Sequence, residues 1–321
     1  MKRGQRKGGS RRTGRRSGSQ PRLLPLGGGK GGVGKSFLVA NLAVSMARSG
    51  HRVVAVDCDL EGANLHTLLG LRRPLHSFAE YVAGRETDVR KLAEPTPVEN
   101  LRLIAGTGVD LGSAQPEQNQ RLDFLDSLRG MDADFVLLDL GAGSSASVLD
   151  YFMVSDDGLV VIAPEPTAVE NAYTFMRAAF YRRLRLAMVE PEVRRLVSVA
   201  MDQRNESGIR SPYELLREVE RLDPAEGVHF ASVMRAFRPR LVVNGVRGTE
   251  DIRLGFSIKT LCSKYYAIEP EYLGYVSYDE QVREAVRACR PVVDIAPDSS
   301  AAVYIERIAR KLAEGPGEEV P

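Results

Sequence analysis

The stretch that most constrains this chain is Leu23–Ser36, LLPLGGGKGGVGKS. A short apolar run feeds a loop with six glycines, and the loop closes on Lys35 and Ser36. The following FLVANLAVSMARSG reads as a helix stopped at Ser49-Gly50. Strand, G-x-x-x-x-G-K-S over Gly29–Ser36, then helix is the context a phosphate-binding loop requires. Without Cβ atoms, successive backbone N–H groups can turn inward and wrap a polyphosphate at a helix N-terminus, where the dipole is positive. The loop residues Gly29, Lys30, Gly31, Gly32, Val33, Gly34, Lys35, Ser36 and Phe37 are therefore the candidate nucleotide contacts. Lys35 would reach β/γ-phosphate oxygens and Ser36 would take a position on Mg²⁺. The competing reading is a glycine-rich turn with a chance lysine.

Further strand ends supply acids. His51–Asp59, HRVVAVDCD, reads as a buried parallel strand ending in Asp57 and Asp59, since continuous β-branched residues suit a sheet covered on both faces. Ligands of open α/β sheets sit beyond the carboxyl ends of the strands. A carboxylate there could hold Mg²⁺ through water or orient an attacking water; alternatively the two acids cap Asn64–Gly70. Asp134–Leu140, DFVLLDL, is a second apolar strand ending in Asp139, followed by Gly141-Ala142-Gly143, and Asp139 would act on the metal directly or through a water. Leu101–Ala105 and Gly158–Ala163 read as strands, Glu117–Arg129 as a helix. Thr167, with Glu170 three residues on, fits the capping box of another helix.

The chain has 321 residues, 43% of them hydrophobic, enough to bury a large core. No apolar run approaches the ~18 residues of a transmembrane helix, and the N-terminus lacks the apolar segment of a secretory signal. Cys58, Cys262 and Cys289 are odd in number and far apart, which suits a reducing cytoplasm and offers no paired ligands for zinc or an iron–sulfur cluster. The net charge of +2 hides an asymmetry: residues 1–22 carry nine Lys/Arg and no acid, leaving −7 on residues 23–321. This Gly/Ser/Arg-rich arm is expected to be disordered. It could neutralise DNA or RNA phosphates, bind anionic lipid, or be a solvated tail.

Taken together, KGGVGKS with its extra Lys30, DCD at Asp57–Asp59, LLDLGAG at Leu137–Gly143 and APEPTAVENAY at Ala163–Tyr173 resemble the MinD/ParA superfamily of deviant-Walker-A P-loop ATPases, the SIMIBI class. DLEGANLHTLLG (Asp59–Gly70), EPTAVENAY and EYLGYVSYDEQVREAVRACRPVV (Glu271–Val293) are most similar to its FlhG/FleN branch, which regulates flagellar number and placement. The resemblance covers roughly residues 23–180 and 239–313. It implies a doubly wound, mostly parallel α/β sheet with helices on both faces, and slow, partner-stimulated ATP hydrolysis with Mg²⁺. It also implies an ATP-dependent homodimer that switches a spatial-positioning task. Lys30 would reach the phosphates of the other subunit, Asp59 would position the hydrolytic water, Asp57 would support the metal region, and Asp139 would play the second-motif role. Asn244, closing a strand over Leu241–Asn244, would contact adenine; the other reading is a turn-forming Asn before Gly245.

Two regions depart from that pattern. Tyr181–Arg240 is a long insertion with helices around Pro191–Met201, Pro212–Leu222 and Pro224–Phe237, and it carries twelve arginines against nine acids. It is either a helical addition packed on the domain or a module that docks an unidentified protein partner. After the last helix, Ser299–Leu312 with Asp298 or Ser299 as N-cap, residues 314–321 form an acidic tail with no amphipathic membrane helix. The expected organisation is a basic arm over 1–22, the ATPase domain over 23–313 with the insertion at about 181–240, and the tail. The protein is expected in the cytoplasm, peripheral to nucleoid, pole or inner membrane. A ParA-like partition ATPase binding DNA non-specifically is the alternative task, an Mrp-like iron–sulfur carrier a remote one, and a binding module with a dead site a third.

Overall fold

The computed structural model describes residues 20–106, 116–201, 208–209 and 211–314. Most of the basic arm (1–19) and the acidic tail after Glu314 lie outside them. The first half runs β1 (Arg22–Gly27), α1 (Lys35–Arg48), β2 (Val53–Asp57), α2 (Leu65–Leu68), α3 (Phe78–Val82), a 3₁₀ turn at Val89–Leu92, β3 (Glu94–Pro95) and β4 (Leu101–Ile104). Then come α4 (Gln118–Arg129), β5 (Phe135–Asp139), α5 (Ala146–Phe152), β6 (Leu159–Ile162) and α6 (Pro166–Ala187). Three helices follow, α7 (Pro191–Met201), α8 (Pro212–Leu222) and α9 (Pro224–Ala236). The chain closes with β7 (Arg240–Val246), α10 (Thr249–Tyr266), β8 (Glu271–Ser277), α11 (Glu280–Arg287), α12 (Val292–Ile295) and α13 (Ser300–Glu314).

Among the described residues the strands form one sheet in the order β3-β4-β2-β5-β1-β6-β7-β8. All pairings are parallel except β3 with β4. Both faces are covered, so the pleat sorts side chains into two cores. Leu24, Leu26, Val53, Ala55 and Leu137 point into the layer with α1 and α13. Leu23, Val54, Val56, Val136 and Leu138 point into the layer with α4, α5 and α6. This is the doubly wound architecture the motifs imply, and it places β1 centrally between β5 and β6. Among the described residues no helix is long and apolar enough to cross a membrane.

The insertion does not stand apart from the domain. Leu215 and Val219 of α8 and Phe230 of α9 are fully buried in the same core as α6, and Phe237 packs on Phe180 with ring centroids 5.7 Å apart. The Glu226 carboxylate of α9 accepts the Val189 N–H at 3.1 Å, tying the α6–α7 corner to α9.

Some boundaries shift. β1 starts at Arg22, inside the stretch expected as the arm: the Arg22 N–H donates to the Asp134 carbonyl at 3.0 Å, and its side chain ion-pairs with Asp157 at 3.3 Å. The β2 strand stops at Asp57 rather than Asp59. β7 continues past Asn244 to Val246 through a register shift at Gly245, which has φ +80°. Thr167 is not an N-cap: α6 begins at Pro166, Glu165 holds the cap position without a side-chain bond, and the Thr167 hydroxyl is used elsewhere. For the last helix, Ser299 is the capping side chain, accepting the Ala302 N–H at 3.3 Å.

Candidate functional site

The loop between β1 and α1 lies at the carboxyl edge of the sheet, and Gly28, Gly29 and Gly34 are fixed by close approach. A Cβ on Gly28 would sit 2.5 Å from the Val161 carbonyl oxygen, and one on Gly29 2.1 Å from that of Asn171. Gly34, at φ +95°, adopts a left-handed conformation, and a Cβ there would meet the Asn244 amide nitrogen at 2.2 Å. Helix α1 starts at Lys35 with no side-chain cap and no acid in its first turn. Its first amide groups and its positive dipole end are therefore directed at the loop without an internal anion. Gly31 and Gly32 border open space: a Cβ on Gly31 would come no nearer than 3.8 Å to the Ala142 Cβ, and one on Gly32 would meet nothing within 4 Å.

The acids converge from two neighbouring strands. Asp57 and Asp139 are direct register partners across β2 and β5 and both are buried. Asp57 accepts three backbone N–H groups, from Asp59, Asn64 and Leu65, each at 3.1 Å. It thus caps α2, so the capping expectation holds for Asp57 although the residue is buried. Asp139 is hydrogen-bonded to Ser36, while its Oδ1 is buried with no partner. Burial, more than the neighbouring negative charge, raises both carboxyl groups well above the usual carboxylate range; for Asp139 the nearby Asp57 adds to it. The buried Lys35 ammonium is pushed down by desolvation, partly opposed by Asp139 and Asp59.

The residues present suit a divalent cation. Two buried carboxylates in register, one with an unpartnered oxygen and bonded to a hydroxyl, form an oxygen-rich donor set next to an ammonium. Hard cations favour such oxygen ligands, and an added positive charge would relieve the burial cost of the acids. The set fits Mg²⁺, with Ser36, Asp139 and Asp57 as the residues that could hold it.

Asp59 lies two residues past the end of β2. Its Oδ1 accepts the Gly62 N–H at 3.0 Å, and it borders Gly141, where a Cβ would stand 3.5 Å from its Cγ. The loop after β5 is stitched to the phosphate loop by Gly143 N–H to the Gly29 carbonyl at 3.2 Å. Asp59 therefore lies beside the β5 loop that is tied to the phosphate loop. Lys30, expected to reach another subunit, in the single chain lies back on the start of α6: its Nζ is 2.7 Å from Glu165 Oε2 and 3.0 Å from Thr167 Oγ1. Asn244, expected at adenine, donates its Nδ2 to the Val33 carbonyl at 2.9 Å and so props the phosphate loop. Phe37 is partly buried at the start of α1, its carbonyl taken by Asn41. Sequence reasoning missed Glu165; the signal is the acid in EPT, whose neighbour Thr167 fits a cap on spacing alone.

Among known proteins, the chain is 26% identical over 296 residues to the antiactivator FleN of Pseudomonas aeruginosa, covering 92% of this chain and 87% of that protein. It is 27% identical over 307 residues to the septum site-determining protein MinD of Helicobacter pylori, covering 93% of this chain and 91% of that one. In fold it matches the septum site-determining protein MinD of Pyrococcus horikoshii, solved in complex with Mg-ADP, at a TM-score of 0.63 and 19% identity over 91% of this chain and 96% of that chain. A family model described as the CobQ/CobB/MinD/ParA nucleotide binding domain matches residues 26–292, and the chain belongs to that family.

Proposed function

We propose that this protein is an ATP-hydrolysing switch of the MinD/ParA kind, acting as an ATP-dependent homodimer in spatial positioning, with the FlhG/FleN-like control of flagellar number or placement as its task. The observation that carries the reading is the Asp139 oxygen left without a partner, beside Ser36 and Lys35 at the mouth of an uncapped helix N-terminus. Similarity to FleN along 92% of the chain favours the task.

In this reading the loop amides and Lys35 bind and orient the β- and γ-phosphates. Ser36, Asp139 and Asp57 hold Mg²⁺, which supplies charge neutralisation at the phosphates when bound. Asp59 orients the attacking water and holds its proton through the carboxylate oxygen not taken by Gly62. Lys30 leaves Glu165 and Thr167 to stabilise charge on the nucleotide of the second subunit. Phosphoryl transfer needs positioning and charge stabilisation more than covalent help, so turnover is slow until assembly completes the geometry. The insertion offers a docking module for a protein partner. An iron–sulfur carrier is disfavoured because Cys58, just after β2, and Cys262, on α10, are buried apart from each other in sequence, and Cys289 is exposed.

Single-turnover hydrolysis and sedimentation with Mg-ATP test the roles. Lys30→Ala and Asp59→Ala should both abolish hydrolysis, with Asp59→Ala keeping ATP-dependent dimers. Full turnover in either variant would overturn the assignment.

A further inference from the structure

Helices α6 and α10 cover the same face of the sheet, and Phe175, Met176, Ile258 and Cys262 share one core there. The gap between the two helices is a cavity of about 860 Å³, within the range of small-ligand sites. On α6 its wall is built from Val169, Tyr173 and Arg177, spaced one turn apart. On α10 it is built from Leu254, Leu261 and Tyr265, beside the buried stripe of Ile258 and Cys262. Leu261 is 41% exposed and Tyr265 54%. No residue of the nucleotide site described above lines this cavity.

Its chemistry is acidic and aromatic. Three acids, Glu170, Glu250 and Asp251, line it against one arginine, Arg177. The Arg177 guanidinium lies 5.8 Å from the centre of the Tyr181 ring, which is not part of the lining. Asp251 accepts only the neutral Arg247 N–H, at 2.8 Å, and its charge stands, as do those of Glu170 and Glu250. The Lys264 ammonium lies 5.2 Å over Tyr265. Tyr173 and Tyr266, with ring centroids 6.2 Å apart, carry no cation among the described residues. The Tyr173 hydroxyl is also buried without a hydrogen-bond partner, a state that few native polar groups keep.

We propose that this cavity binds a small organic ammonium ion with an apolar body, a protonated primary or secondary amine. The cation meets the Tyr173 and Tyr266 rings, and one N–H donates to the Tyr173 hydroxyl oxygen. The carboxylates supply the matching field, and Leu254, Leu261 and Tyr265 take the apolar body. An anion would face three carboxylates. A neutral hydrocarbon would leave the Tyr173 hydroxyl unmet and the acids unused. The site is separate from the phosphate loop and stands or falls apart from the ATPase reading.

Ligand-observed NMR with phenethylammonium and the full-length, nucleotide-free protein tests this. The expected result is saturable binding at one site per chain, with neutral 2-phenylethanol about tenfold weaker. Tyr173→Phe should weaken phenethylammonium about tenfold, the worth of a hydrogen bond to a charged group. It should leave the N-trimethyl analogue, which has no N–H, unchanged. Tyr266→Leu should weaken both amines about tenfold. Glu170→Gln with Glu250→Gln changes two exposed positions and should weaken both about threefold, less in high salt. Unchanged melting serves as the control for folding. No saturable binding, or 2-phenylethanol binding as tightly as phenethylammonium, would overturn the proposal. So would Nα-acetyl-lysine methylamide binding as tightly, which would assign the cavity to a lysine-bearing protein partner.

Discussion

Replacing Gly34 by alanine perturbs the phosphate loop at the point where its conformation and its support coincide. Two separate costs arise. A left-handed backbone with a Cβ costs roughly 1–2 kcal/mol, and Gly34 stands at φ +95°. The new Cβ would also lie 2.2 Å from the Asn244 nitrogen, displacing the amide that satisfies the Val33 carbonyl. Leaving a buried acceptor without its donor costs about 1–3 kcal/mol, and Val33 is only 4% exposed. Gly34→Ala should therefore destabilise by about 2–5 kcal/mol and Asn244→Ala by about 1–3 kcal/mol. The double variant has no amide left to displace, so it should cost no more than Gly34→Ala alone. The cycle then shows a coupling of about 1–3 kcal/mol, well beyond the ~0.3–0.5 kcal/mol scatter of independent sites. Urea unfolding of the nucleotide-free protein measures all four corners. Additive costs would refute the idea that Asn244 props this loop, and would return the residue to a role at the base.

Other outcomes follow from the same geometry. Burial raises the Asp57 and Asp139 carboxyls in the folded protein, so the native state holds protons that the unfolded chain has released. Their contribution is fully present below the ordinary carboxylate pKa near 3.8 and is lost as pH rises through the raised values. Melting of the nucleotide-free protein should thus fall between about pH 5 and 8, flatten in Asp139→Asn, and flatten with Mg-ATP; a flat wild-type profile would contradict it. Glu226→Ala removes the acceptor of the Val189 N–H and should cost about 1–3 kcal/mol by thermal unfolding, with nucleotide affinity unchanged. Glu165→Gln removes the charged partner of Lys30; the pair is half-exposed, so stability should move by under ~1 kcal/mol while ATP-dependent dimerisation strengthens, as read by sedimentation.

Much of this arrangement was legible because backbone chemistry and residue type agree locally. The strand, Gly-rich loop and helix around Gly29–Ser36 lie where the pattern put them, and the apolar runs before Asp57 and Asp139 are strands, the first ending two residues sooner than expected. The proline-led helices Pro191–Met201 and Pro212–Leu222 lie where spacing put them. What escaped depends on tertiary approach. Asn244 on the Val33 carbonyl and Lys30 on Glu165 both join residues distant in sequence. Thr167 misled because a capping box and a lysine acceptor share one residue type. The edge strand β8 alternates weakly, with Gly274 and three tyrosine or serine positions, so its pattern is set by β7 beside it.

The central claim is that a triphosphate is gripped by Lys35 in one subunit and reached by Lys30 of the other, with magnesium among the acids. Sedimentation of Asp59→Ala with saturating ATP and magnesium, beside the same protein carrying Lys30→Ala as well, tests it most directly. The first should run as a dimer with one nucleotide per subunit and the second as a nucleotide-bound monomer. A protein that stays monomeric and nucleotide-free under those conditions, or a dimer indifferent to Lys30, would contradict the account.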